Sequence, residues 1–299
     1  MELRVLRSFL AVAREQSISG AAKTLHISQP SLSRQIIDLE DELATKLFER
    51  GNRKITLTEQ GTLLRKRAEQ IVELVSKTEE ELTFANEAIS GTVRIGAGET
   101  RAFLTVAQAI HTLRAQYPDI RFHTFSGNAE DVMERLDKGL VDFGLLIEPY
   151  DVSKYDYIHL PAVDVWGVLM LRDSPLAVLD AVQSEHLWDV PLICSRQALE
   201  GGQLSSWLKA DYGKLNLVSS YNLLFNASLL VEAGVGYALC LDNIVNTTGE
   251  SNLCFRPLDP VLKSQVNLVW KKHQIFSRPS ELFLSRVRYL ANNETTPSM

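Results

Sequence analysis

Near the N-terminus, Gln29, Ser31, Ser33 and Arg34 follow Ser28 and Pro30 in the segment SQPSLSR. If this segment is helical, Ser28 caps it and Pro30 sits in its first turn, where a missing N–H costs little. The polar side chains then face away from an apolar stripe that begins at Leu32 and Ile36. A helix entering the major groove of double-stranded DNA reads base edges with its first two turns, using short hydrogen-bonding side chains and Arg. Its free N–H groups also suit a phosphate. A second group, Arg50, Arg53 and Lys54, surrounds a Gly51-Asn52 turn ahead of Ile55-Thr56-Leu57. It reads as a small β-wing lying along a phosphate backbone. One polar helix start alone is more often an ordinary cap with a solvated face. Two preceding helices and the basic turn that follows favour the nucleic-acid reading.

No other constellation suggests covalent chemistry. The six His residues (26, 111, 123, 159, 186 and 273) are scattered without metal-ligand spacing, and no GxSxG, P-loop or GxGxxG is present. Cys194, Cys240 and Cys254 form an odd set without CxxC, in apolar strand contexts that mark them as core residues. The expectation is therefore no catalytic residue, no metal and no cofactor.

The elements that position these residues fit a chain of 299 residues, 45% apolar and 23% charged, which is enough for two or three domains with cores of their own. No run approaches the ~18 uncharged apolar residues of a membrane span. Charges at Glu2, Arg4, Arg7, Arg14 and Glu15 interrupt any signal-peptide core. A cytoplasmic protein without a membrane partner is expected. The net charge of −6 conceals an asymmetry: residues 1–67 carry 12 Lys and Arg against 8 Asp and Glu, and the remainder 19 against 29. A basic module on an acidic body confines any polyanion partner to the first part.

Leu3, Leu6, Leu10 and Ala13 predict a helix to about Gln16, and Ser17 caps a second with Ala21, Ala22 and Leu25 inward. The third carries Leu32, Ile36, Leu39, Leu43 and Leu47 as one buried stripe. Together, FLAVAREQSISGAAKTLHISQPSLSRQIIDLEDEL and KLFERGNRKITLTEQG resemble the winged helix-turn-helix of LysR-type transcriptional regulators. The resemblance rests on Ala21-Ala22, Leu25, Ser28 to Ser31, Ser33, Leu39-Glu40, Leu47-Phe48-Arg50, and Leu57-Thr58 through Gly61. Ala44 stands where that family usually places Gly, a change tolerated if the helix runs on.

From Thr58, Leu64, Ala68, Ile71, Val75, Thr78, Leu82, Ala85 and Ile89 alternate steps of four and three, a heptad seam. A helix from 58 to 89 would be about 48 Å long, and outside any core it needs a partner. The resemblance implies a linker helix through which two chains dimerise, with Ser90-Gly91 as hinge. Beyond it, strand and helix patterns alternate in α/β units. Strands are predicted at 93–97, 120–123, 141–147, 166–171, 191–195, 216–220, 236–241 and 266–270. Helices are predicted over 101–116, 129–138 and 279–291. The implied fold is α/β, with an N-terminal winged helix-turn-helix (1–58), a long linker helix and hinge (59–91), and a C-terminal two-lobed periplasmic-binding-protein-like domain (92–299). One lobe takes 92–161 with 266–299, the other 162–265.

Ligand contacts in such a fold come from strand ends and helix starts. Thr100 and Gly127-Asn128 match positions the family commonly uses for effector contact, and Ser195, Arg196 and Asn222 qualify by placement. Each is also explained as a helix cap. Glu99, beside Thr100, would repel an anion if it pointed inward. The resemblance implies an operator-binding transcriptional regulator controlled by a small-molecule effector, an anion among the candidates. Its other expected partners are itself, as a homodimer or dimer of dimers, and RNA polymerase if it activates. Two alternatives remain: a solute-binding or enzyme-like protein, and an effector-independent architectural DNA-binding protein.

Overall fold

Three short helices open the chain: α1 (Leu3–Glu15), α2 (Ile18–Thr24) and α3 (Gln29–Glu42). A two-stranded wing of β1 (Phe48–Arg50) and β2 (Ile55–Leu57) follows, then the long helix α4 (Glu59–Thr83). The computed structural model describes residues 1–50, 54–83, 89–200, 203–209 and 215–293. It divides after Ala85 into two compact units.

The caps form where the serines stand. Ser17 Oγ accepts the Gly20 N–H at 3.2 Å and Ser28 Oγ the Ser31 N–H at 3.3 Å. Phe9, Val12, Ala21, Leu32, Ile36 and Leu39 interlock in one core, the two alanines of α2 allowing close approach of its neighbours.

The third helix does not run on to Leu47. It ends at Glu42, Leu43 is exposed, and Ala44 takes a left-handed conformation with φ of 50°. The Ala44 N–H donates to Asp41 O and the Thr45 N–H to Glu40 O, which closes the helix end as a Schellman motif. The preference for Gly at this position is thus a backbone requirement, met here by Ala at a steric cost of about 1–2 kcal/mol. Replacing Ala44 with Gly returns part of that gain through the freedom of the unfolded chain. Ala44→Gly is expected to stabilise the N-terminal unit by about 0.5–1 kcal/mol. Slower hydrogen exchange of the most protected α3 amides checks this, and unchanged or faster exchange contradicts it.

Gly61 answers a different constraint. A Cβ there would lie 2.0 Å from Leu47 O, so α4 can pass the base of the wing only without one. Thr58 completes the joint by donating its hydroxyl to Lys46 O and accepting the Gly61 N–H.

The heptad seam is divided. Leu64, Ala68 and Val72 pack against the core of their own unit, whereas Leu63, Ile71 and Leu74 are exposed. Thr78 is also exposed and Val75 half-buried. Ala85 lies outside the described residues, and Ile89 packs instead against the first core of the C-terminal unit. Gly91 begins the next strand with φ of 129°, a conformation that favours glycine.

The C-terminal unit starts with β3 (Gly91–Ala97), α5 (Phe103–Gln116), β4 (Ile120–Ser126), α6 (Ala129–Asp137) and β5 (Phe143–Ile147). The 17-residue strand β6 (Tyr155–Leu171) then carries the chain across. A second α/β series holds β7 (Leu192–Ser195), α7 (Arg196–Glu200), α8 (Gln203–Leu208), β8 (Leu217–Tyr221), α9 (Leu224–Glu232), β9 (Tyr237–Leu241) and β10 (Leu253–Pro257). The return is by β11 (Lys263–Lys271) and α10 (Arg278–Asn293).

The strands run in the order β4-β3-β5-β11-β6-β9-β7-β8, with β10 also on β6. The β3–β4, β3–β5, β7–β8 and β7–β9 pairs are parallel, as βαβ crossovers require. β11 and β6 are antiparallel and bind the two series together. The change occurs within β6: up to Val165 it pairs with β11, and from Trp166 with β9. One lobe centres on Val93, Ile95, Phe143, Leu268 and Phe283, the other on Val168, Leu192, Leu204 and Leu239.

Candidate functional site

The start of α3 presents the side chains marked for base recognition. Gln29, Pro30, Ser31 and Arg34 are exposed and Ser33 half-exposed, while Leu32 and Ile36 face the core. Ser28 is committed to the cap. Among the described residues Arg34 has no ion-pair partner, so its guanidinium is available to a base edge or a phosphate.

The wing is tied to this helix by Glu40. Its carboxylate accepts the N–H groups of Leu47 (2.8 Å) and Phe48 (3.2 Å) and the Lys46 ammonium (2.7 Å). Burial opposes the charge, but the Lys46 bond and the two amides outweigh it and lower its pKa from the ordinary glutamate value. The Ile55 N–H donates to Gln16 O, anchoring β2 to the end of α1. Arg50 lies on β1, paired with Ile55, and Lys54 is exposed just before β2. Arg53, with Gly51 and Asn52, lies outside the described residues.

In the C-terminal unit a cavity of about 90 Å³ opens between the lobes. Gly127, Asn128, Ser195 and Asn222 lie on its wall, and Thr100 and Arg196 do not. Asn128 Oδ1 caps α6 through the Asp131 N–H (2.9 Å), and the Ala129 N–H donates to Gln197 Oε1 of the opposite lobe (3.1 Å). Glu99, at the end of β3, accepts the Leu224 N–H that opens α9, again across the cleft. Trp166 and Tyr221 line the cavity, fixed by bonds from Nε1 to Ser264 Oγ (2.9 Å) and from the phenol to Leu239 O (2.7 Å).

Thr100 acts elsewhere. Its buried hydroxyl donates to Asp164 Oδ2 (2.5 Å) and accepts the Ala102 N–H (3.0 Å), joining the start of α5 to the strand where the lobes meet. Arg196 stands on the surface, paired with Glu130 at 3.6 Å. Gln197, Glu148, Trp166 and Tyr221 also line the cavity, beyond the positions marked from sequence. Glu148 has a detectable signal, since it directly follows β5 at the strand end where such folds bind ligands.

Burial pushes the Asp164 carboxyl up to about 6; the Thr100 hydroxyl works against this and the Asp242 charge adds to it. With the folded pKa above the unfolded one, this group's stabilising contribution is full below about pH 4 and is lost as pH rises through 6. Asp164→Asn keeps an acceptor for Thr100. It is expected to stabilise the C-terminal unit by roughly 2–3 kcal/mol at pH 8 and hardly at all at pH 4. Denaturant unfolding at both pH values tests this, and an equal effect at each contradicts it.

Cys194, Cys240 and Cys254 are buried, and burial raises all three thiols above their ordinary range. No helix is long and apolar enough to cross a membrane among the described residues.

A wing-bearing trihelical unit followed by a two-lobed α/β unit defines a DNA-binding protein with a ligand domain. Residues 3–62 match the bacterial regulatory helix-turn-helix protein, lysR family, and residues 86–291 the LysR substrate binding domain. The chain belongs to the LysR family: it is a DNA-binding transcriptional regulator with an effector-binding domain. It is similar to the HTH-type transcriptional regulator BsdA of Bacillus subtilis, with 30% identity over 73% of this chain and 74% of that one. The regulator YfeR of Shigella flexneri is 28% identical over 97% of this chain and 94% of its own. The fold matches full-length CbnR complexed with its target DNA, with a TM-score of 0.71, 18% identity, and coverage of 97% of this chain and 100% of that one.

Proposed function

We propose that the protein binds a two-fold, partly palindromic operator as a homodimer, or as a dimer of dimers, and that a small molecule in the interlobe cavity sets its activity. The cavity carries this reading, because its wall takes residues from both lobes. A ligand there contacts both at once and favours one arrangement of the lobes, with couplings typically of ~1–3 kcal/mol. Gly127, Asn128, Ser195 and Asn222 are its polar contacts. Residues 1–58 read DNA, 59–91 pair and link, and 92–299 sense. The protein acts in the cytoplasm and is not an enzyme. As an activator it would also contact RNA polymerase.

Selection of genomic fragments by the purified protein tests the DNA half of this reading. Recovered fragments are expected to share a two-fold sequence, its half-sites about one or more helical turns apart. Fragments without a common sequence would refute it.

A further inference from the structure

The cavity's electrostatics narrow the ligand class, an inference that rests on the proposed role of the cavity. Among the described residues, the charged groups on its wall are Glu99 and Glu148, with no Lys, Arg or His. Both carboxylates are half-buried and neither has a cationic partner among the described residues. The rest of the wall is largely apolar, including Leu145, Ile147, Trp166 and Leu241.

Amides at the starts of α5, α6 and α9 already have side-chain acceptors. Thr100 takes the Ala102 N–H ahead of α5. Asn128 and Gln197 take those of α6, and the Glu99 carboxylate takes that of α9. An incoming carboxylate would therefore meet negative charge with those amide donors engaged. Glu148 uses Oε1 to accept from Asn267 Nδ2 at 2.8 Å, leaving Oε2 for another donor. Partly desolvated carboxylates without counter-charge favour a cation.

The geometry points to a protonated amine on a small apolar body as the ligand class, its ammonium held by Glu148 and Glu99 and its body against Trp166. At ~10–15 Å³ per water-sized group, the cavity takes a body about the size of a single substituted ring.

The test is calorimetric titration of the full chain with three probes of one shape: benzylamine, benzyl alcohol and benzoate. Benzylamine is expected to bind about tenfold more tightly than benzoate. Glu148→Gln, which preserves the bond to Asn267, should reduce that preference to about threefold or less. Ala198→Phe, which fills the cavity, should remove binding. Benzoate binding as tightly as benzylamine, and lost in Ala198→Phe, overturns the amine class while leaving the interlobe site standing. Benzylamine binding that survives Ala198→Phe, or an undiminished preference in Glu148→Gln, overturns the assignment to this wall. Failure of benzylamine alone overturns the amine class. Failure of all three probes overturns the cavity reading with it.

Discussion

Placing Asp at both Ile71 and Leu74 is expected to turn the protein into a monomer and lower operator affinity by about 10²–10⁴-fold. These side chains are 39% and 43% exposed on α4, with Leu63 at 60% on the preceding turns. The adjoining face of the helix, carrying Leu64, Ala68 and Val72, is already occupied by its own unit. The proposed pairing sets the exposed stripe against that of a second copy. Two Asp residues per chain would set like charges against each other across a desolvated seam. Each freed chain would hold one half-site and lose the effective concentration that pairing provides. Because both positions are exposed in the single chain, the variant should fold with unchanged helix content. Sedimentation and operator titration together read the outcome. An unaltered oligomer with full affinity would place the pairing surface elsewhere.

Arg34→Ala is expected to weaken operator binding by ~1–3 kcal/mol, or roughly 5–150-fold, and to relax sequence preference. The guanidinium stands on the second turn of α3, away from the core, where a helix in the major groove reaches base edges. Lys54 makes a useful contrast, being exposed where the wing's turn enters β2. If it meets phosphate, Lys54→Ala should weaken all sequences about equally and reduce the salt slope by about 1. Comparable losses on operator and random DNA for Arg34→Ala would reassign that residue to the backbone.

The N-terminal unit was legible where its determinants are local. Ser17 and Ser28 declare helix starts through their own cap bonds, and the buried face of α3 follows from spacing up to Leu39. Ala44 was not, because its left-handed φ belongs to the helix end and no Ala-specific signal marks it. Periodicity found the apolar residues of α4 but could not say which face its own unit would claim. In the second unit the strand ends were legible, and with them four residues of the cavity wall. Thr100 was correctly placed at such an end, yet its partner Asp164 lies 64 residues away. Gln197 and Glu99 gain their roles from contacts across the cleft, which sequence spacing does not encode. The first half of β6 was hidden by Pro161 and by broken alternation of its burial.

The most direct test of DNA reading by α3 is a base-by-base binding profile of the selected operator, measured for the full-length wild type and Arg34→Ala at one salt concentration. Each position is substituted in turn and the affinity compared with that of the unsubstituted site. The variant is expected to lose discrimination at one symmetry-related pair of positions and to keep it elsewhere. Profiles that superimpose apart from a uniform offset would contradict this expectation.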